Sequence, residues 1–159
     1  QYWRLRHRLV DIAARIGGDD AVQFLLHHII EHGREDLDLR HAALRALDDA
    51  RLSLSTKDRR RLEPCVDMEF QVHRLCCEAM RQTRDWVPGD LLADALEHER
   101  RRSRDRLLLL LGTILGDPAL REARTFAASS NKEDRGLAAE LLEQSLPRAW
   151  AERVLPSLE

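Results

Sequence analysis

The chain has 159 residues, 34% of them charged, yet its formal net charge is only −2. Near-neutrality removes any global field that would draw in nucleic acid or an anionic bilayer, so an electrostatic partner must use a local patch. Aromatic residues make up 4% of the chain while Leu, Ala, Arg and Glu are plentiful, a balance that points to helices rather than sheets, and no strand pattern is visible.

In chain order, the first helix is expected from about Trp3 to Ile16, with Leu5, Leu9, Ile12, Ala13 and Ile16 on an inward stripe. Gly17-Gly18-Asp19-Asp20 stops it and caps the next. The second helix, about Ala21 to Glu31, turns Val22, Leu25, Leu26, Ile29 and Ile30 inward, ends at His32-Gly33, and forms an αα-hairpin with the first. A third runs from Leu37 to about Leu52, where Leu39, Ala42, Ala43, Ala46 and Leu47 recur with helical period. A fourth starts near Ser55 to Asp58 and continues to about Thr83, with Pro64 either in its early turns or at a kink.

Trp86-Val87-Pro88-Gly89-Asp90 is a break that starts another helix. From Leu91 the pattern runs through the polar stretch His98 to Arg106 and resumes at Leu107 to Leu115 without Gly or Pro to interrupt its polar centre. One helix of about 25 residues with a solvated centre follows, ended by Gly116-Asp117-Pro118. Then come a helix from Pro118 to Ala128, the turn Ser129-Ser130-Asn131, a helix from Glu133 to Leu146, and a short one after Pro147 with Trp150, Val154 and Leu155. The apolar Val154-Leu155-Pro156 end is expected to be exposed and continued by another repeat or domain, as in stacked-repeat proteins. The longest purely apolar run, Leu107 to Leu111, is far short of the roughly 20 residues that span a bilayer. No signal peptide is present, and a chain that begins at Gln1 already in helical pattern reads as a domain excised from a longer polypeptide.

One spaced signature occurs twice, as Asp36-x-x-Leu39-Arg40-x-x-Ala43-x-x-x-Leu47 and as Asn131-x-x-Asp134-Arg135-x-x-Ala138-x-x-x-Leu142. A short polar residue caps a helix, an Arg follows one turn in on the solvent or groove side, and a small and a large apolar residue face the core. Leu5-Arg6-x-x-Leu9-x-x-x-Ala13 repeats its core without the cap. It reads as the second helix of a HEAT-type repeat, and the spacing of Arg6, Arg40 and Arg135 by one and by two to three repeat lengths implies stacked hairpins. Arg40 and Arg135 are expected to brace neighbouring repeats through ladders to carboxylates. The fold expected is an all-α HEAT-like solenoid of about four to five antiparallel helical hairpins, forming a single domain over residues 1–159.

The stretch Arg106-Leu-Leu-Leu-Leu-Leu-Gly-Thr-Ile-Leu-Gly-Asp-Pro118, followed by Gly136-Leu-Ala-Ala-Glu-Leu-Leu-Glu-Gln-Ser-Leu-Pro147, resembles the HEAT-like segment of bacterial relatives of the ATP/ADP translocases. Those proteins join a major-facilitator-type transporter to a HEAT-like region, often followed by a cyclic-nucleotide-binding domain. The resemblance is clearest over residues 91–159 and rests on packing motifs. It implies a regulatory or connecting module on the cytoplasmic side of a membrane protein, and it supplies no catalytic residue, cofactor or metal ligand.

Candidate chemistry is sparse. His28 and His32, with His27 adjacent, could offer imidazoles to a metal, but a third ligand and an H-E-x-x-H motif are missing. The arginines from Arg100 to Arg106 and Arg59-Arg60-Arg61 could contact phosphate or protein. Glu97, Glu99 and Asp105 interleave the first run, and Asp58 and Glu63 flank the second, as on a solvated face laced with ion pairs. Asp85-Trp86 is an adjacent acidic–aromatic pair of the kind a HEAT-like DNA glycosylase would need. Cys65, Cys76 and Cys77 lack disulfide spacing and metal-site spacing, so they read as buried core residues of a reducing compartment. No cysteine has an evident base beside it. No catalytic, cofactor-binding or metal residue is therefore assigned. The expected function is a non-enzymatic interaction or regulatory module that contacts proteins or neighbouring domains of its own chain. The alternative is a HEAT-like nucleic-acid-binding protein or DNA glycosylase.

Overall fold

Short polar side chains set where helices begin. Asp36 accepts the backbone N–H of Leu39 at 2.9 Å, Asp117 that of Ala119 at 2.9 Å and Asn131 that of Glu133 at 3.0 Å. Each satisfies a first-turn N–H that has no partner within its helix. Ser55 does the same for Asp58 at 3.1 Å.

A computed structural model describes residues 2–31, 36–83 and 91–158. Among these residues the elements are α1 (Tyr2–Ile16), α2 (Gly18–Ile30), α3 (Leu37–Asp49), α4 (Thr56–Gln82), α5 (Leu91–Leu115), α6 (Pro118–Ala127), α7 (Lys132–Ser145) and α8 (Arg148–Val154). A 3-10 turn, Leu155–Leu158, follows, and no strand occurs among the described residues. The chain is thus all-helical. Pro64 lies within α4. The expected break at 86–90 falls outside the described residues.

Two compact units divide the chain, one of Gln1–Cys65 with Leu109–Gly116, the other of Val66–Leu108 with Asp117–Glu159. In the first, α2 and α3 pack on each other and α1 packs on both. The core there includes Val10, Leu25, Leu26, Ile29, Leu39, Ala43, Leu44 and Leu47, each at most 2% exposed. Arg40 is wholly buried among them, and its Nε donates to the Ile29 carbonyl at 3.1 Å. That carbonyl lies in the last turn of α2, where carbonyls run out of intrahelical donors, and the guanidinium supplies one. Arg40 was expected on the solvent or groove side; the need of the α2 terminus for a donor draws it inward instead.

The first helix also departs from expectation. Its contact side carries Val10, which is fully buried, while Leu5, Leu9, Ile12 and Ile16 are 54%, 41%, 51% and 76% exposed. The stripe read as inward is the outer face. Between α1 and α2, Gly17 takes φ +67° and the N-cap position, with no side-chain cap. Asp19 and Asp20 lie in the first turn of α2, where they act on the helix dipole and do not cap it.

Asp58, near the start of α4, accepts from Gln23 of α2 at 3.1 Å and pairs with Arg61 at 3.3 Å. The hydrogen bonds from Ser55 and Gln23 hold its carboxyl below the usual range. Arg59 reaches the carbonyls of Leu54 and Ile114, both at 3.4 Å, and so completes the C-terminal end of α5.

In the second unit α6 and α7 form a hairpin, with Leu120, Ala123 and Ala127 buried from one side and Ala138 and Leu142 from the other. Its turn is tied by Ser129, which donates to Asp134 at 2.6 Å and accepts from the Asn131 N–H at 3.1 Å. Val154 is fully buried, Leu155 half-buried and Pro156 exposed, so the apolar end expected to be open is exposed only in part. Arg135 is half-buried, and among the described residues it makes none of the expected carboxylate contacts.

Replacing Arg40 by Ala should cost about 2–5 kcal/mol, because it leaves a void and takes a buried donor from the Ile29 carbonyl. Urea unfolding measures this, and an unchanged midpoint would show that the guanidinium braces nothing.

Candidate functional site

The polar centre of α5 was expected to be solvated, and the structure folds much of it inward. Ser103 and Arg106 are fully buried, while Arg100, Arg102, Arg104 and Asp105 are half-buried. Arg106 donates from Nε to Glu69 at 2.9 Å and from Nη2 to Glu99 at 2.7 Å, and Glu69 is itself fully buried. Burial alone would lower the Arg106 pKa, but the two carboxylates outweigh it and raise the value. Its Nη1 has no hydrogen-bond partner among the described residues. Glu97 accepts from Arg100 at 2.8 Å and from Arg101 at 2.6 Å. The hydrogen bond from Arg100 leads in holding its carboxyl at about 2. Hence the arginine run is largely matched by carboxylates on its own helix and on α4.

Beside this network, one stripe of α4 lines a cavity of about 990 Å³. Asp67, Phe70, Gln71, His73, Arg74, Cys77 and Arg81 come from α4, with Arg153 and Pro156 from the end of the chain. Arg153 donates to Asp67 at 2.7 Å and lies 3.9 Å from the Phe70 ring centroid. Arg81 pairs with Glu78.

His73, only 7% exposed, has Nδ1 3.0 Å from Ser103 Oγ and Nε2 3.5 Å from Cys77 Sγ. Ser103 donates its hydroxyl proton to the Arg100 carbonyl at 3.0 Å. Its oxygen is left as an acceptor, so the proton of a neutral His73 belongs on Nδ1 and the Nε2 lone pair faces the Cys77 thiol. Burial, then the charges of Arg100 and Arg104, push the His73 pKa down. Cys76, by contrast, is buried and its thiol is pushed up by that burial, then by Glu99.

Cysteine readings thus divide. Cys65 and Cys76 are buried as expected, while Cys77 is half-buried, borders the cavity and has a base beside it. The signal for that base was a His four residues before a Cys on one helix face, an arrangement without a recognised motif. Its third member, Ser103, lies 30 residues further on.

The other singled-out residues do not converge on this cavity. His28 Nδ1 meets the Phe24 carbonyl at 2.9 Å, His27 is exposed, and His32 lies outside the described residues. Asp85 and Trp86 also lie outside them. Arg61 serves Asp58 and Gln23, and Arg60 is exposed.

A second feature belongs to α1. Leu5, Leu9, Ile12 and Ile16 are spaced four, three and four apart, the repeat of a coiled-coil seam. At the positions flanking that seam stand Arg6, Arg8, Ala13 and Arg15, with no carboxylate among them. No described helix is long and apolar enough to cross a membrane.

Against known proteins, no family model, no curated protein and no solved structure matches the chain.

Two measurements bear on the buried groups. Arg106→Met takes the guanidinium partner from the buried Glu69 and should cost about 3–5 kcal/mol, whereas Arg106→Met with Glu69→Leu should recover most of that loss. Equal losses in the single and double variants by urea unfolding would contradict the pairing. His73 concerns the lower pH range. Its folded pKa is depressed, so below about pH 6.5 the unfolded chain takes up the proton first and stability falls with pH. Between about pH 7.5 and 5.5 the native chain should lose more unfolding free energy than His73→Gln. Identical pH slopes would mean that burial does not perturb this imidazole.

Proposed function

We propose that this chain is a non-enzymatic helical-repeat interaction module that docks a helix of a protein partner, or of a neighbouring domain, on the outer face of α1. What carries the proposal is the exposed seam of Leu5, Leu9, Ile12 and Ile16 bordered by arginines. A stripe confined to the a and d positions is narrower than the apolar face of a helix lying in a membrane interface, and it suits one opposing helix. Since Arg6, Arg8 and Arg15 flank it, the complementary partner carries an apolar seam bordered by carboxylates. A second copy of α1 is a poorer match, because its flanks are equally basic.

The finer reading is a HEAT-like solenoid of about four to five hairpins, serving as a connector on the cytoplasmic face of a transporter-like membrane protein. It draws support from the capped signature helices α3 and α7, whose Ala43, Leu47, Ala138 and Leu142 are buried, and from the sequence resemblance. An open reading frame around residues 1–159 that encodes no membrane-spanning helices would remove the transporter part.

A nucleic-acid-binding or glycosylase function is the second reading. It is favoured by the cavity, where Phe70 and Asp67 stand among Arg74, Arg81 and Arg153. Against it, Arg153 covers both the ring and the carboxylate, which leaves neither free for a base. Salt-dependent binding to single- or double-stranded DNA would revive that reading.

The docking test uses synthetic amphipathic helices with Leu at the seam and either Glu or Lys on its flanks. The Glu-flanked peptide should bind, more weakly as salt rises, and Leu9→Asp or Ile12→Asp should weaken it by about tenfold or more. Equal binding of both peptides, or binding only to phosphatidylserine vesicles, would sink the proposal.

A further inference from the structure

Cys77 borders a cavity whose charged lining residues, among the described residues, are Asp67, Arg74, Arg81 and Arg153, so that the described cations there outnumber the carboxylate. Asp67 is engaged by Arg153 and Arg81 by Glu78. Arg74 has no ion-pair partner among the described residues and leaves a positive charge uncompensated. Arg74 and Arg81 lie three residues before and four after Cys77, one turn to either side on the same helix face. The cavity, about 990 Å³, is of the size that admits a small organic molecule.

From this cluster we infer that Cys77 is a modifiable thiol that forms a mixed disulfide with small disulfides carrying carboxylates, using His73 as its base and the arginines of the cavity to hold the anionic groups. In the step, His73 Nε2 takes the thiol proton of Cys77. The thiolate attacks one sulfur of the incoming disulfide, a new S–S bond forms, and the old one breaks. The departing thiolate carries away the electron pair and receives the proton from the His73 imidazolium. The incoming disulfide is the only oxidant needed.

The surroundings of Cys77 support the assignment. The hydrogen bond from Ser103 to the Arg100 carbonyl fixes the His73 proton on Nδ1, which makes Ser103 a positioning residue. Cys65 and Cys76 are 2% and 7% exposed, so neither competes for a reagent that enters the cavity. The docking seam on α1 plays no part in the inference.

The test follows thiol release from the folded full chain with 5,5′-dithiobis(2-nitrobenzoate), a dianionic disulfide, and with cystamine, a dicationic one. Each rate is divided by that of a free cysteine peptide with the same reagent, which removes differences in leaving group. Expected is one fast thiol per chain, lost in Cys77→Ser, with a normalised preference for the anionic reagent of about tenfold that shrinks as salt rises. Arg74→Gln with Arg81→Gln should abolish the preference. His73→Gln should slow both reagents by about tenfold or more and keep the preference. The native chain alone can overturn the inference, if no thiol reacts before unfolding or if the two normalised rates are equal. A fast phase that survives Cys77→Ser, or full reactivity in a folded His73→Gln variant, would overturn it as well.

Discussion

Taking a guanidinium out of water costs several kcal/mol unless its N–H groups find acceptors, and each unit of this chain buries one completely. In the first, Arg40 is held against the last turn of α2 through the Ile29 carbonyl, which fixes how α3 meets α2. In the second, Arg106 draws Glu69 of α4 and Glu99 of its own helix into the interior. The alanines and leucines around these groups can interchange within limits of volume. The arginines cannot, since removing one strands the acceptors gathered around it. The helix pairs are therefore specified by polar geometry, and apolar area then stabilises what that geometry selects.

The local chemistry of helix ends was legible in the residues themselves. Asp36, Asp117 and Asn131 cap as their positions in sequence imply, and α5 runs unbroken through its charged centre because nothing in it stops a helix. Burial was harder to read. In α1 the period of the apolar residues is correct, but two apolar sides compete. The shorter Val10 side packs on α2 and α3, and the longer stripe is left outside. Periodicity reports that a face exists and does not say what covers it. Arg40 and Arg106 were misjudged for a related reason, since hydropathy treats a charge as exposed unless its acceptors are known, and those lie on other helices.

The cavity along α4 was not legible at all. Each of its groups is ordinary in sequence: a His four residues before a Cys, an isolated Ser in an arginine run, and an Arg–Phe contact between residues 83 apart. Only the pairing of α4 with α5 gives the imidazole a fixed tautomer. A chain of net charge −2 nevertheless carries two regions where positive charge is locally in excess, the flanks of the α1 seam and the rim of this cavity.

Gly116 carries a consequence for how such a chain can change over generations. It ends α5 at φ +69°, a conformation that side chains rarely adopt, and a β-carbon there would come within 2.6 Å of Arg59 Nη1. The backbone constraint holds for any side chain, while the contact could be relieved only by swinging the flexible end of Arg59 aside. Substitution at 116 would have to displace the guanidinium that closes the end of α5, whereas the leucines from 107 to 111 can drift among apolar neighbours of similar volume. The backbone at Gly116 therefore restricts substitution more tightly than packing does along the leucine-rich run.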